Sequence, residues 1–419
     1  MKDNPTLCDS QARSNLNWYA LGQGVSILGN FLQSAAVGLL ILDLVPKSEA
    51  ANWVGRYNSI VLAPAVLLAP FAGVALDFWC KKKVLIWASV VGVLYSLTLA
   101  LFAQQHQVTT SVIISVAWFA GLVNAFDAPG RTAIVKDITN KSNEDHGGRL
   151  VILIVNLGQI LAPSLAGYLV SNAGFAWTFT LNAMSFIALM VAFMKVKMMK
   201  RTPIQEVLSL RVLFKSVVHS IHYTYTNKSL RVCTVLMAVM TGLGYSYGAI
   251  LPVIARDMYH GGALVAVIYG KLGACLGSGS LTATLSLIKI ASRFKPATVI
   301  FIGGGLSGVG LVIFAYSEQL WLGCAAVFAV GFGLVLLVAT FRVVINKVTD
   351  QKVIGAVSGI SVACFYGSIS LGMLIAGECA TIWGCRSYLY GCGAAMLLVT
   401  ILLPMFPHLQ KLDGDKKKD

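Results

Sequence analysis

Apolar residues dominate this chain in long runs, separated by short polar and charged segments. A helix needs about 20 apolar residues, at a rise of about 1.5 Å each, to cross the hydrocarbon core of a bilayer. Runs of that length lie at 17–43, 53–76, 84–104, 110–131, 150–171, 175–195, 231–255, 263–288, 297–316, 320–342, 354–378 and 385–406. They predict an all-α integral membrane protein of twelve transmembrane helices. Connections are short except for 196–230, which divides the chain near its middle. The expected organisation is a tail over 1–16, a six-helix bundle over 17–195, a linker over 196–230, a second six-helix bundle over 231–406 and a charged tail over 407–419.

Within the linker, Arg211, Lys215, His219 and His222 recur at helical spacing, with Leu210, Leu213, Val217 and Ile221 beside them. This pattern predicts an amphipathic helix lying on the headgroups.

Composition agrees with lipid as the solvent. Of 419 residues, 57% are apolar and 12% charged, against about 25% charged in a soluble domain. The 32 Lys and Arg outnumber the 17 Asp and Glu, a balance that in a soluble protein would suggest nucleic acid. Here the charges sit in clusters between apolar runs and form no continuous basic face, so nucleic acid is not an expected partner and membrane lipid is. With a cytoplasmic N-terminus, the outer side holds only Lys47, Arg56, Arg256 and Arg386, and Lys271 falls inside a span. The opposite orientation would invert the positive-inside bias. Both termini are therefore expected in the cytoplasm, in an inner membrane. Residues 1–16 lack the charged and apolar regions of a signal peptide. The nine cysteines include no CxxC pair, and Cys379 and Cys385, near one short loop, leave both a disulfide and free thiols open.

The halves repeat at an offset of about 211 residues. Arg131-Thr-Ala-Ile-Val-Lys136 aligns with Arg342-Val-Val-Ile-Asn-Lys347, each at the inner end of the fourth helix of its half. Tyr57 pairs with Tyr269 and Lys83 with Lys295. Parallel repeats of this kind are an established transporter plan.

Four stretches carry a resemblance. Gly73-Val-Ala-Leu-Asp77-Phe-Trp-Cys-Lys81-Lys82-Lys83, between the second and third helices, resembles the signature loop of the major facilitator superfamily. Phe78 and Cys80 stand where the family usually has Arg and Gly. A carboxylate there caps a helix N-terminus, and the cations face anionic lipid and neighbouring carboxylates. In the fifth helix, Gly158, Ala162, Pro163, Ala166 and Gly167 resemble the family motif associated with antiporters; small residues permit close helix approach and the proline bends the helix. Asn124-Ala-Phe-Asp127-Ala-Pro-Gly-Arg131 and Gly174-Phe-Ala-Trp177 are similar to the branch containing the enterobactin exporter and macrolide-type efflux proteins. The resemblance implies a major facilitator fold acting as a monomer, alternating access, and cavity walls built from the first and fourth helices of each half.

The candidate cavity residues follow. Gln23, Ser26, Asn30 and Gln33 form a polar stripe on helix one, which would be unfavourable against lipid. Asn124 fits the same wall, and Thr241, Tyr245, Arg342 and Asn346 are its second-half counterparts, with Phe126 and Trp118 as aromatic surface. Interhelical hydrogen bonding is the alternative for part of this set. Lys271, a lone charge in helix eight, is a candidate for an anionic substrate group or a coupling role, unless it is shallower than its span implies. Asp127 and Arg131, four apart, face each other as a coupling or gating pair alongside Asp77. Arg56 with Glu378, and Asp43 with Arg256, are candidates for pairs that hold the outer side closed.

No phosphate-binding loop, metal-ligating cluster or nucleophile elbow is present in the sequence. Neither an enzyme activity nor a cofactor or metal is expected. The expected function is secondary transport of a small molecule, with protons as the coupling ion and export of a siderophore-like or amphiphilic compound favoured by the motif resemblance. A proton-coupled importer and a non-transporting receptor or scaffold are the alternatives.

Overall fold

The computed structural model describes residues 9–78, 80–139, 144–198, 218, 221–259, 264–350 and 354–405, without the side chains of 9, 69–70, 72–78, 128, 132, 136, 144–146, 149, 152 and 354–356. Among these residues there are helices joined by short turns and no strand. The first half holds α1 (Asp9–Leu44), α2 (Ala50–Phe78), α3 (Lys81–Gln104) and α4 (Thr110–Ile138). Glu144–Lys195 follows, divided at Gly174 into α5 (144–173) and α6 (175–195). The second half holds α7 (Lys228–Asp257, interrupted at Ser246), α8 (Val265–Arg293), α9 (Pro296–Tyr316), α10 (Leu320–Val348), α11 (Ile354–Trp383) and α12 (Cys385–Leu402).

Ten described stretches are by themselves long and apolar enough to cross a membrane; α5 and α6 count there as one, and α2 stands outside the ten. Local chemistry sets several helix starts. The Thr109 hydroxyl accepts from Val112 N at 3.4 Å at the head of α4, and the Asn227 side chain accepts from Leu230 N at 3.2 Å at the head of α7, satisfying backbone donors that have no partner within the helix.

The first helix starts at Asp9, eight residues before the expected boundary at 17. Residues 9–16 are thus helix, with Ala12, Asn15 and Leu16 buried. Asn15 is accommodated because its Nδ2 donates to the Lys197 carbonyl at 2.7 Å while its Oδ1 accepts from Lys197 N at 3.0 Å. This small polar clamp ties the start of α1 to the end of α6. Most of the expected amphipathic linker helix, and the tails over 1–8 and 406–419, lie outside the described residues; 221–226 are helical. Cys379 and Cys385 are free thiols.

The two halves share an unusual turn. Gly174, between the fifth and sixth helices, has φ 82° and ψ 174°, and Gly384, at the same place in the second half, has φ 82° and ψ 157°. This region of backbone space is essentially reserved for glycine. The sequence repeat therefore extends to a repeated backbone conformation.

Replacing Gly174 or Gly384 by Ala should cost about 1–3 kcal/mol through backbone strain, because an added Cβ meets nothing within 4 Å at either site. Gly391→Ala, equally open but without a positive φ, serves as the control that should be neutral or slightly stabilising. Thermal unfolding of the three purified variants in detergent checks this.

Candidate functional site

The start of α1 and the end of α12 lie on one face of the bundle, the terminal face. The halves are joined most tightly toward the other. At the α2–α11 seam, a Cβ on Gly55 would lie 2.6 Å from the Met373 carbonyl oxygen, and one on Gly377 would lie 2.7 Å from that of Ala51. Just beneath, the Ser59 and Ser370 hydroxyls are 3.0 Å apart, and Ser370 Oγ is 3.0 Å from the Ser59 carbonyl. At the α5–α8 seam, Ser164 Oγ donates to the Gly270 carbonyl at 3.1 Å, and a Cβ on Gly273 would lie 2.6 Å from Pro163 Cβ. A third contact sets Gly38 of α1 against Pro252 of α7. Asn156 Nδ2 donates to Thr284 Oγ1 at 3.5 Å, and among the described residues no hydrogen bond or ion pair joins the halves nearer the terminal face.

Backbone approach, rather than charge, holds this seal. Arg56 donates to Glu378 at 3.2 Å, but the two side chains are 44% and 46% exposed, and such surface pairs contribute about 0–1 kcal/mol. The pairing expected between Asp43 and Arg256 is not formed. Arg256 Nε instead meets the Asp257 carboxylate at 2.6 Å, and Nη2 donates to the Lys47 carbonyl at 3.3 Å. The adjacent carboxylate on the same turn captures the guanidinium, and Asp43 stays exposed. Above the seal is a cleft of about 400 Å3 between the halves, lined by Lys47, Ser48, Asp257, Trp383 and Arg386 among others.

The polar stripe on α1 divides between two environments. Gln33 turns into its own bundle, where its Oε1 accepts from Asn182 Nδ2 at 2.9 Å; the same amide donates to Ser96 Oγ at 3.2 Å, and Ser185 Oγ donates to Asn182 Oδ1 at 3.0 Å. Here hydrogen bonding between helices replaces the expected cavity role. Ser26 is also buried. Gln23 is fully buried with neither amide atom partnered, and Asn30 Oδ1 is likewise unpartnered.

Gln23 lies one turn from Tyr19, whose hydroxyl donates to the Arg131 carbonyl at 3.1 Å. Arg131 Nε meets Asp127 Oδ2 at 3.1 Å, and both side chains are largely buried. Asn124 and Phe126 are half-buried beside them, while Trp118 is exposed. The Asp77 side chain is outside the described residues.

A second buried pair was missed by sequence reasoning. Lys81 Nζ meets Asp137 Oδ2 at 2.7 Å, with side chains 10% and 6% exposed. Of the two settings expected for the basic cluster, anionic lipid and neighbouring carboxylates, Lys81 takes the second. Its one available signal was the presence of opposite charges at adjoining helix ends on the terminal face.

In the second half, α7, α10 and α11 bring the other candidates together. The Arg342 guanidinium lies 5.2 Å from the centroid of Phe365, whose ring meets Tyr245 edge-on at 6.0 Å and Tyr366 at 5.2 Å. Asn346 Oδ1 accepts from Ser358 Oγ at 3.3 Å. Thr241 is buried; its hydroxyl bonds back to the Met237 carbonyl at 2.7 Å and meets Ser368 Oγ at 3.0 Å, which makes it a helix-joining group rather than a cavity group. Phe365 and Tyr366 were not expected, since aromatic residues in an apolar helix carry no distinguishing pattern. Lys271 is placed away from this cluster. It lies within the first two turns of α8, exposed on a helix that also exposes Val267, Leu285 and Ile288.

The antiporter-like motif on α5 has two packed sides. Ala162 and Ala166 are fully buried against Leu32 and Ala35 of α1, and a Cβ on Gly158 would lie 2.9 Å from Ile27 of α1. Pro163 and Gly167 face Gly273 and Ala266 of α8 in the other half. The small residues thus let α5 pack closely on both halves.

The sequence profile of a family described as transmembrane secretion effector matches residues 14–418. The multidrug efflux pump Tap of Mycolicibacterium fortuitum is 24% identical over 397 residues, covering 92% of this chain and 94% of the pump. The staphyloferrin A transporter of Staphylococcus aureus is 23% identical over 363 residues, covering 85% and 87%. In fold the chain is similar to the nucleoside transporter NupG, with a TM-score of 0.72 at 14% identity over 92% of this chain and 100% of that one. It is also similar to a peptide transporter crystallised with alafosfalin, with a TM-score of 0.71 at 13% identity over 97% and 100%.

Two outcomes follow from this geometry. Lys81→Met leaves the Asp137 carboxylate buried without its cation and should destabilise the protein by about 3–5 kcal/mol, read as a fall in unfolding temperature larger than that of Lys82→Met. At the seal, Arg56→Glu should change stability and cysteine accessibility only slightly, whereas Gly55→Leu should force the α2–α11 seam apart. Maleimide labelling of a cysteine placed at Ser370 reads the difference: weak in Arg56→Glu and strong in Gly55→Leu.

Proposed function

Since the chain belongs to the transmembrane secretion effector family of the major facilitator superfamily, we propose that it exports a small molecule across the inner membrane by alternating access, driven by proton antiport. The observation that carries this reading is the one-sided closure. Helix backbones meet across α2–α11 and α5–α8 toward one face, and no described hydrogen bond joins the halves nearer the terminal face than Asn156–Thr284. The Lys and Arg bias supports a cytoplasmic terminal face, which makes this the state that loads from inside. The family description and the efflux relative support the outward direction, and the multidrug and staphyloferrin relatives support an amphiphilic or siderophore-like substrate.

Asp127 is the coupling group in this reading. Its carboxylate is buried against Arg131, and a charge at this depth depends on its partner. Loss of the Asp127–Arg131 ion pair would free the guanidinium close to the point where the Tyr19 hydroxyl of α1 holds the Arg131 backbone carbonyl. Asp77, in the last turn of α2, belongs to the same gate in this reading. The protein acts as a monomer within lipid, without a cofactor.

Everted membrane vesicles test the proposal with a panel of amphiphilic dyes and a citrate-type polycarboxylate. Acidifying the lumen should drive accumulation of at least one compound in the wild type. Asp127→Asn should abolish gradient-driven accumulation by at least tenfold while leaving exchange of preloaded compound. Accumulation that requires the reverse gradient would point to import, and absence of flux for every compound would remove the transport reading.

A further inference from the structure

Charge carried within a membrane-spanning helix is normally neutralised nearby, and two pairs in this bundle obey that rule. Asp127 is matched by Arg131 at 3.1 Å and Lys81 by Asp137 at 2.7 Å. Arg342 has no such match. It lies six residues before the terminal-face end of α10, roughly 9 Å along the helix axis at 1.5 Å per residue. Its guanidinium is exposed, rests on the Phe365 ring at 5.2 Å, and makes no ion pair among the described residues.

The surrounding helices supply no counter-charge. α10 contains no Asp or Glu, and the only ones in α7 and α11 are Asp257 and Glu378, both at the far ends of their helices beside the seal. Asp257 is already paired with Arg256 and Glu378 with Arg56. Around Arg342 the surface is aromatic and hydrogen-bonding: Phe365, Tyr245 and Tyr366, with Asn346 one turn toward the terminal face.

We propose that the transported molecule is an organic anion carrying a carboxylate or similar planar oxyanion beside an aromatic or apolar body, with the anion paired to Arg342 and the body laid against Phe365 and Tyr245. A guanidinium presents paired N–H donors that match a carboxylate in two parallel hydrogen bonds. The ring below holds the guanidinium plane in place through cation–π contact, so the donors are oriented before ligand arrives. A cationic drug would meet the same charge as repulsion, and with no carboxylate near Arg342 on these helices there is nothing to offset it. The proposal rests on the transport reading and narrows it: among amphiphilic and siderophore-like compounds, it selects the acidic ones.

The test compares three matched probes, 1-naphthoate, 1-naphthamide and 1-naphthylmethylammonium, by the thermal shift each produces on the purified full-length protein. Naphthoate should stabilise the wild type at concentrations at least tenfold lower than the amide, and the ammonium should not stabilise it. Arg342→Gln should erase the preference for naphthoate over the amide, whereas Phe365→Leu should weaken both. Arg342→Lys, which keeps the charge but loses the planar fork, should retain part of the preference and substitutes for Arg342→Gln if that variant does not fold. Stabilisation by the ammonium equal to or above that by naphthoate, no stabilisation by naphthoate, or an unchanged preference in Arg342→Gln overturns the proposal. Because binding is read without flux, loss of the naphthoate preference in a protein that still moves compounds sinks this proposal alone, whereas naphthoate binding without flux of any compound sinks the transport reading and leaves only an anion-binding site at Arg342.

Discussion

Lipid offers no hydrogen-bond partner to a buried donor or acceptor, and most of what distinguishes this bundle follows from how its polar groups meet that constraint. Backbone groups are satisfied within helices. The polar side chains sort into those that find one another across helices and those that do not. Asn182 gathers Gln33, Ser96 and Ser185 into one network between α1, α3 and α6. Asn15 binds the backbone at Lys197, and Lys81 binds Asp137. These contacts make the first half a unit. Gln23 and the Asn30 side-chain carbonyl belong to the buried polar groups that have no hydrogen-bond partner among the described residues, and the exposed Arg342 guanidinium has an aromatic ring but no ion pair there.

The join between the halves is built on a different principle. Glycine, alanine and serine bring helix backbones together at α2–α11 and α5–α8, where dispersion and weak hydrogen bonds act over a long seam. The ion pair of Arg56 and Glu378 sits on the rim, in water, and contributes little. A seam of small residues separates without stranding a charge, whereas a seam of buried ion pairs would leave uncompensated charges on opening. This suits a contact that, in the proposed alternating-access cycle, breaks and re-forms.

Much of the fold was legible because a span requires a long apolar run, and such runs have few other uses. The early start of α1 was not, because Asp9, Arg13 and Asn15 read as a polar tail until Lys197 is placed beside Asn15. The polar stripe was correctly denied a lipid-facing position, but its spacing alone could not separate Gln33, which bonds Asn182, from Gln23, whose amide has no hydrogen-bond partner among the described residues. The proximity of Arg56 and Glu378 was readable because each is a lone charge at a helix end on the same face. The analogous expectation for Asp43 failed because Asp257 stands next to Arg256 in sequence and claims it first. Phe365 and Tyr366 gave no sequence signal at all; three separate helices have to come together before they mean anything.

The cleft above the seal has a practical consequence. It is walled by both halves, with Lys47 and Ala51 on one side and Asp257, Trp383 and Arg386 on the other, and in the proposed orientation it opens to the exterior. A compound too polar to permeate the bilayer would still reach it, and by bridging the two walls would hold them together. Inhibitors of this protein therefore need not compete with cargo or enter the cell; a membrane-impermeant wedge, or a small antibody loop of matching shape, would stall the cycle from outside.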